Sequence, residues 1–233
     1  MLKVRGVHSY YGQAHILADV SLDVNAGEVV VLLGRNGAGK STTLKSIIGL
    51  VRPKSGTVEF AGTSVERLAP YRIARLGLGY VPEERRIFTD LTVLENLEVG
   101  RQPPRAGAPT WDFDKIGAIF PNLREMPQRP GGRMSGGEQQ MLTIARTLMG
   151  NPACILLDEP SEGVAPVIVD QMAEAIRGLK AAGVAILLSE QNLHFAMEVA
   201  DRAYIIEKGG IRFEGTMAEL SSNAEVQAQY LAV

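Results

Sequence analysis

Apolar positions change their spacing several times along the chain, and each change predicts an element. Leu2 to Val7 reads as a strand. Val20, Leu22 and Val24 alternate with Ser21 and Asp23, the period of a half-buried strand. Asn25-Ala26-Gly27 is turn chemistry, and the run Glu28 to Leu33 that follows reads as a buried strand. Lys40 to Gly49 reads as a helix with Leu44, Ile47 and Ile48 on one side. Ser55-Gly56 turns the chain into a strand from Thr57 to Ala61, and Leu78 to Val81 is another, ended by Pro82. From there to about Gly150 the signals are helical. Thr92 to Val99 predicts a helix and Arg101 to Pro109 a loop. Asp112 to Phe120 predicts a helix stopped by Pro121, Pro127 to Gly132 a linker, and Gly136 to Met149 a long apolar-faced helix.

Alternation then returns. Cys154 to Leu157 reads as a strand. Val167 to Ala182 reads as a helix with Ile168, Met172, Ile176 and Leu179 on one stripe and Gly183 closing it. Val184 to Leu188 predicts a strand, Leu193 to Ala200 a helix, and Ala203 to Glu207 a strand. Lys208-Gly209-Gly210 turns into a strand from Ile211 to Phe213. Strands alternating with helices predict an α/β fold with a mostly parallel sheet. The chain divides into a core, residues 1–83 and 151–233, and an inserted helical subdomain, residues 84–150.

Composition narrows the class. The 233 residues are 45 % hydrophobic and 21 % charged, enough for one sizeable globular core. The net charge of −2 gives no footprint for nucleic-acid backbone, so no nucleic-acid partner is expected. The single cysteine, Cys154, lies in an apolar run and reads as a buried strand residue; the three histidines, His8, His15 and His194, are scattered. No apolar run approaches the roughly 18 residues of a membrane span, and the N-terminus lacks an apolar signal region. A cytoplasmic protein is expected, one that reaches a membrane only through another chain.

The stretch LLGRNGAGKST, Leu32 to Thr42, carries the first chemistry. Gly34 to Ser41 fits G-x-x-x-x-G-K-[ST] in full, after a strand and before a helix. Its glycines permit a loop whose N–H groups turn inward, and the helix start adds positive partial charge. Gly34, Arg35, Asn36, Gly37, Ala38, Gly39, Lys40, Ser41 and Thr42 would cradle phosphate. Lys40 would reach the β- and γ-phosphates of a nucleotide and Ser41 would hold Mg²⁺. Asp158 ends the apolar strand ILLDEP and is the second magnesium-side residue; Glu159 beside it is a candidate base for the attacking water. In RMSGGEQQ, Arg133 to Gln140, Ser135-Gly136-Gly137 opens a helix and forms a second phosphate-facing element, far away in sequence.

Together these residues resemble the ATP-binding cassette ATPases over nearly the whole chain and in that family's motif order. Gly34 to Ser41 matches Walker A, Met134 to Glu138 resembles the LSGGQ signature, and Cys154 to Glu159 matches Walker B with the catalytic glutamate. Tyr11 matches the aromatic that stacks on adenine, with Tyr10 next door as the other choice. The resemblance implies a P-loop NTPase core with an N-terminal antiparallel β element. It also implies head-to-tail pairing, in which Ser135, Gly136, Gly137 and Glu138 serve the partner's nucleotide. VPEERRIFTDLTVLENL, MSGGEQQML, DEPSEGVAP and SEQN look like the LivF-type ATPases of branched-chain amino-acid importers, with similar variants in cassettes for urea and other amides. That likeness implies two membrane permeases, a second and different ATPase subunit (a homodimer in isolation being the alternative), an extracytoplasmic solute-binding protein, and residence on the cytoplasmic face of the membrane.

Three positions depart from the common cassette pattern. Glu83 stands where most have glutamine; it would contact Mg²⁺ and, with Arg85, Arg86 and Phe88, line the permease groove. Gln191 stands where most have a switch histidine and is the expected γ-phosphate sensor through its amide N–H, with His194 three residues on as the substitute. Ser161 to Pro166 lacks the usual aspartate, and Glu162 reads as a solvated loop charge. The leading expectation is an ATPase that drives solute import. A nucleotide-binding subunit that barely hydrolyses, and a soluble cassette protein of DNA repair or translation, are the alternatives.

Overall fold

The computed structural model describes residues 1–231. Its centre is a six-stranded sheet in the order β10 (Gly210–Thr216), β9 (Arg202–Glu207), β3 (Val29–Leu33), β8 (Ala185–Glu190), β7 (Cys154–Asp158), β6 (Leu78–Val81). All neighbouring pairs are parallel except β10–β9. The central strands are near-continuous apolar runs because both faces are covered. Val29, Val31 and Leu33 point into one core and Val30 and Leu32 into the other. Cys154 is fully buried in β7, and burial pushes its thiol up to about 12.

The second core is closed by a four-stranded antiparallel sheet, β2 (Ala14–Val24), β1 (Leu2–Tyr11), β4 (Ser55–Phe60) and β5 (Thr63–Ser64), in that order. Helix α1 (Lys40–Ile47) lies between the sheets and buries Leu44 and Ile47. The first core is closed by α3 (Val93–Gly100), α4 (Phe113–Ile119), α5 (Pro121–Glu125), α6 (Gly136–Leu148), α7 (Pro166–Ala181) and α8 (Leu193–Val199). Between β6 and β7 the regular elements are helical among the described residues, and α3 packs on α6.

Several expectations are corrected. Pro121 does not simply stop a helix; it takes the first position of α5, where its missing N–H costs nothing. The linker at Pro127–Gly132 runs into a 3₁₀ turn, Gly131–Arg133. Strand β1 runs on to Tyr11 and β2 begins at Ala14, so the hairpin is longer than the alternation of Val20 to Val24 indicates. Helices α2 (Pro70–Leu76), α9 (Met217–Ser222) and α10 (Ala224–Tyr230) have no counterpart in the sequence reading. The stripe on α7 holds for Met172, Ile176 and Leu179, while Ile168 is half-buried and packs under the start of α6. Gly183 follows the helix with φ +90°, the left-handed conformation expected of it.

Candidate nucleotide site

The parallel strands β3, β7 and β8 end side by side, where ligands settle in open α/β sheets. The glycine loop follows β3, Asp158 ends β7 and Glu190 ends β8. Gly39 has φ +115°, and a Cβ there would lie 2.9 Å from Leu17; a Cβ at Gly34 would lie 2.5 Å from the carbonyl of Ile206. Only glycine lets this loop lie flat against β2 and β9. Arg35, Asn36 and Gly37 are exposed at its tip, Ala38 is buried, and Thr42 is half-buried in α1. Helix α1 has no side-chain cap, so its first N–H groups are open to an acceptor.

Two pairs join the loop to the end of β7, the first half-buried and the second buried. The Ser41 hydroxyl donates to Asp158 Oδ1 at 2.9 Å across 117 residues of sequence. Two cis ligands of an octahedral Mg²⁺ are roughly 2.9 Å apart, so these hard oxygens fit that ion. Asp158 is held by two further hydroxyls: Ser189 donates to Oδ1 at 2.8 Å and Tyr80 to Oδ2 at 3.1 Å. Burial, then the Asp158 charge, pushes the Tyr80 phenol far up, so it stays a donor. The second pair is Lys40 Nζ with Glu159 Oε1, 3.0 Å apart. The same ammonium donates to the carbonyls of Gly34 and Arg35 at 2.7 and 3.1 Å.

Glu159 sits at φ +46°, a left-handed position, and its N–H donates to the hydroxyl of Ser189 at 3.1 Å. Burial works to raise its carboxyl, but hydrogen bonds from Glu162 and Lys40 outweigh this and hold it below the ordinary range. Glu162 is exposed, as a loop charge would be, and its N–H donates to the carbonyl of Glu159 at 3.1 Å. Its side-chain hydrogen bond with Glu159, helped by burial and by the charges of Glu159 and Glu83, lifts it to about 7. Glu83 is exposed; partial burial and the charges of Glu159 and Asp158 raise its carboxyl. Gln191 is exposed and lines a cleft with Asn36, Glu159 and Glu162. His194 is on the outer face of α8 near Glu198. Tyr11, about half exposed, shares a cleft with Gly37, Lys40, Ser41 and Thr42, whereas Tyr10 stacks on His15 with ring centroids 4.2 Å apart.

Ser135, Gly136, Gly137 and Glu138 line neither of these clefts. They start α6 as a capping box: Ser135 Oγ accepts the N–H of Glu138 at 3.3 Å, and Glu138 accepts the N–H of Ser135 at 2.7 Å. The Ser135 O–H stays available as a donor. A Cβ at Gly137 would strike Ile168 of α7 at 2.7 Å, and one at Gly136 would strike the Arg85 guanidinium at 2.4 Å. Arg85 thus lies over the signature turn and reaches toward the carbonyl of Gly163 at 3.4 Å. A groove holds Phe88 with Leu50, Tyr71, Val99 and Arg146; of the residues expected to dock a permease, Glu83, Arg85 and Arg86 are not among its lining residues. Sequence reasoning missed Tyr80, Ser189 and Glu190, whose roles arise from contacts between distant strands.

The ABC transporter family model matches residues 17–162. The high-affinity branched-chain amino acid transport ATP-binding protein BraG of Pseudomonas aeruginosa is 44 % identical, over 99 % of both chains. The lipopolysaccharide export system ATP-binding protein LptB of Haemophilus influenzae is 35 % identical, over 99 % of this chain and 97 % of that one. Among solved structures, the ADP conformation of an ATP-binding cassette of an ABC transporter superposes with a TM-score of 0.83 at 28 % identity, over 100 % of this chain and 97 % of the other.

Proposed function

The chain belongs to the ABC transporter ATPase family, and on that premise we propose that it is the ATP-hydrolysing subunit of an importer for branched-chain or related amino acids. The observation that carries the reading is the meeting of Ser41 with Asp158 and of Lys40 with Glu159 at one cleft. The substrate class rests on the 44 % identity to BraG over nearly all of both chains.

In this reading the N–H groups of the loop Gly34 to Thr42 bind the phosphates and Tyr11 stacks on adenine. Ser41 and Asp158 would hold Mg²⁺, with Glu83 beside them, and the hydrogen bonds from Tyr80 and Ser189 would keep the Asp158 carboxylate in place for it. The ion, when bound, neutralises charge on the β- and γ-phosphates. Lys40 leaves the Gly34 and Arg35 carbonyls for phosphate oxygen. Glu159, released from Lys40, accepts the proton of the attacking water, and Gln191 donates its amide N–H to a γ-phosphate oxygen. The signature residues line neither cleft at the chain's own glycine loop, and in this reading the second half of each site comes from another cassette. Residues 84–150 act as the subdomain that carries the signature.

No helix among the described residues is long and apolar enough to cross a membrane. The groove holding Phe88, Tyr71, Val99 and Leu50, each about half exposed, lies between the core and the helical segment. It suits an apolar helix of a permease at the cytoplasmic face. A second reading, an ATPase of lipopolysaccharide export, has the 35 % identity to LptB behind it. Gentle purification of the chain from its native membranes separates them. Two multi-span permeases, a different cassette and binding-protein-dependent amino-acid uptake support import; a lipopolysaccharide-exporting assembly overturns it.

A further inference from the structure

Glu190 closes β8 in register with Leu33, the last strand residue before the glycine loop. Its backbone carbonyl accepts the N–H of Gly34 at 3.3 Å. The residue is 2 % exposed, and its carboxylate forms no ion pair among the described residues. A buried carboxylate without a cation is expensive unless its oxygens are filled. They are filled by main chain: Oε1 accepts the N–H of Ser161, on the loop after Glu159, at 3.1 Å, and Oε2 accepts the N–H of Asn192, two residues on, at 3.3 Å. Burial raises the carboxyl, a hydrogen bond from the Ser161 side chain and the two main-chain bonds oppose it, and the Glu159 charge adds to the rise.

One side chain therefore ties the end of β8 and the turn that follows it to the loop after Glu159, and both face the same cleft. Ser161 begins the loop after Glu159 that carries Glu162. Asn192 follows Gln191 and caps α8 by accepting the N–H of Phe195 at 3.1 Å. Gln191 thus stands between a strand end and a helix cap that are joined by the Glu190 carboxylate. A neutral, exposed glutamine has no charge to pull it onto phosphate, so its aim depends on the main chain that holds it.

We propose that Glu190 is a positioning residue for hydrolysis: it locks the turn of Gln191 and the loop after Glu159 to the mouth of the glycine loop, and acts on turnover through Gln191. This rests on the reading of Gln191 as the γ-phosphate contact. Glu190→Gln keeps the shape but sets an amide N–H against one of the two backbone donors. The full-length protein is assayed for kcat, KM and nucleotide affinity as wild type, Glu190→Gln, Gln191→Ala and the double variant. The expected result is a kcat lower by about tenfold in Glu190→Gln with KM within about twofold. The double variant is expected to be no slower than Gln191→Ala, the mark of two residues acting as a unit.

Wild-type kcat in Glu190→Gln overturns the proposal. So does a double variant in which the two losses multiply, since Glu190 then acts independently. Slow Glu190→Gln with unaffected Gln191→Ala overturns both the proposal and the reading of Gln191. Slow Gln191→Ala with unaffected Glu190→Gln overturns the proposal alone. If Glu190→Gln does not fold, Glu190→Asp, which keeps the charge but reaches less far, takes its place in the same cycle.

Discussion

The ammonium of Lys40 lies 3.0 Å from Oε1 of Glu159, and both side chains are almost wholly buried. The cation assigned to phosphate and the carboxylate assigned to water hold each other. Removing one partner of a buried pair strands the other charge. Lys40→Met leaves Glu159 without its cation and is expected to destabilise the nucleotide-free protein by about 3 kcal/mol. Glu159→Gln leaves Lys40 its two loop carbonyls and costs about 1 kcal/mol. Denaturant melts of both variants check this asymmetry; equal losses would mean that the Gly34 and Arg35 carbonyls do not compensate Lys40 for the loss of Glu159.

Tyr80 and Ser189 orient the Asp158 carboxylate by hydrogen bonds of 3.1 and 2.8 Å. Groups that orient a metal ligand typically matter by about tenfold or more in metal affinity. Tyr80→Phe should raise the Mg²⁺ concentration for half-maximal ATPase by about tenfold. At saturating Mg²⁺, kcat should recover. A titration curve that overlays the wild type removes Tyr80 from the site.

Glu162, at about 7 in the folded protein against an ordinary 4.5, binds a proton that the unfolded chain has lost between those values. The native state then holds more protons than the unfolded one, so stability falls as pH rises through that window. Melting of the metal- and nucleotide-free protein from pH 4.5 to 8 should show this fall, and Glu162→Gln should flatten it. Glu159, held below the ordinary range, contributes the opposite slope, losing stability as pH falls below about 4.5.

The groove prediction separates assembly from chemistry. Phe88 is about half exposed, carries Arg146 5.0 Å above its ring, and makes none of the contacts to the loop, Asp158 or Glu159 described above. Phe88→Asp should leave the isolated ATPase within about twofold while co-purification of permeases is lost, since a charge at the centre of an apolar contact is costly. Retained permeases would move the docking surface elsewhere.

Local and long-range information explain what the sequence showed. The buried strands were legible because β3, β7 and β8 are apolar on both faces, and the glycine loop because its residues are contiguous. Helix α2 buries only Ile73 and α10 buries no residue, so neither carries an apolar stripe to read, and α9 is six residues long with two buried side chains. Pro121 reads alike as a stop and as a first helical residue, and only the turn after Phe120 decides between them. The Glu190 clamp spans 29 residues to Ser161 and the Tyr80 bond spans 78 to Asp158. Such partners are set by which strands lie side by side, and no local spacing encodes that.

The central claim is that Glu159 does the chemistry in a site completed by a second cassette. The most direct test is phosphate release together with molecular mass for Glu159→Gln in MgATP. The account predicts tight ATP binding, a stable dimer, and phosphate release slower than wild type by roughly 10² to 10⁴. Release at the wild-type rate, or a monomer that never pairs when ATP is bound, would contradict it.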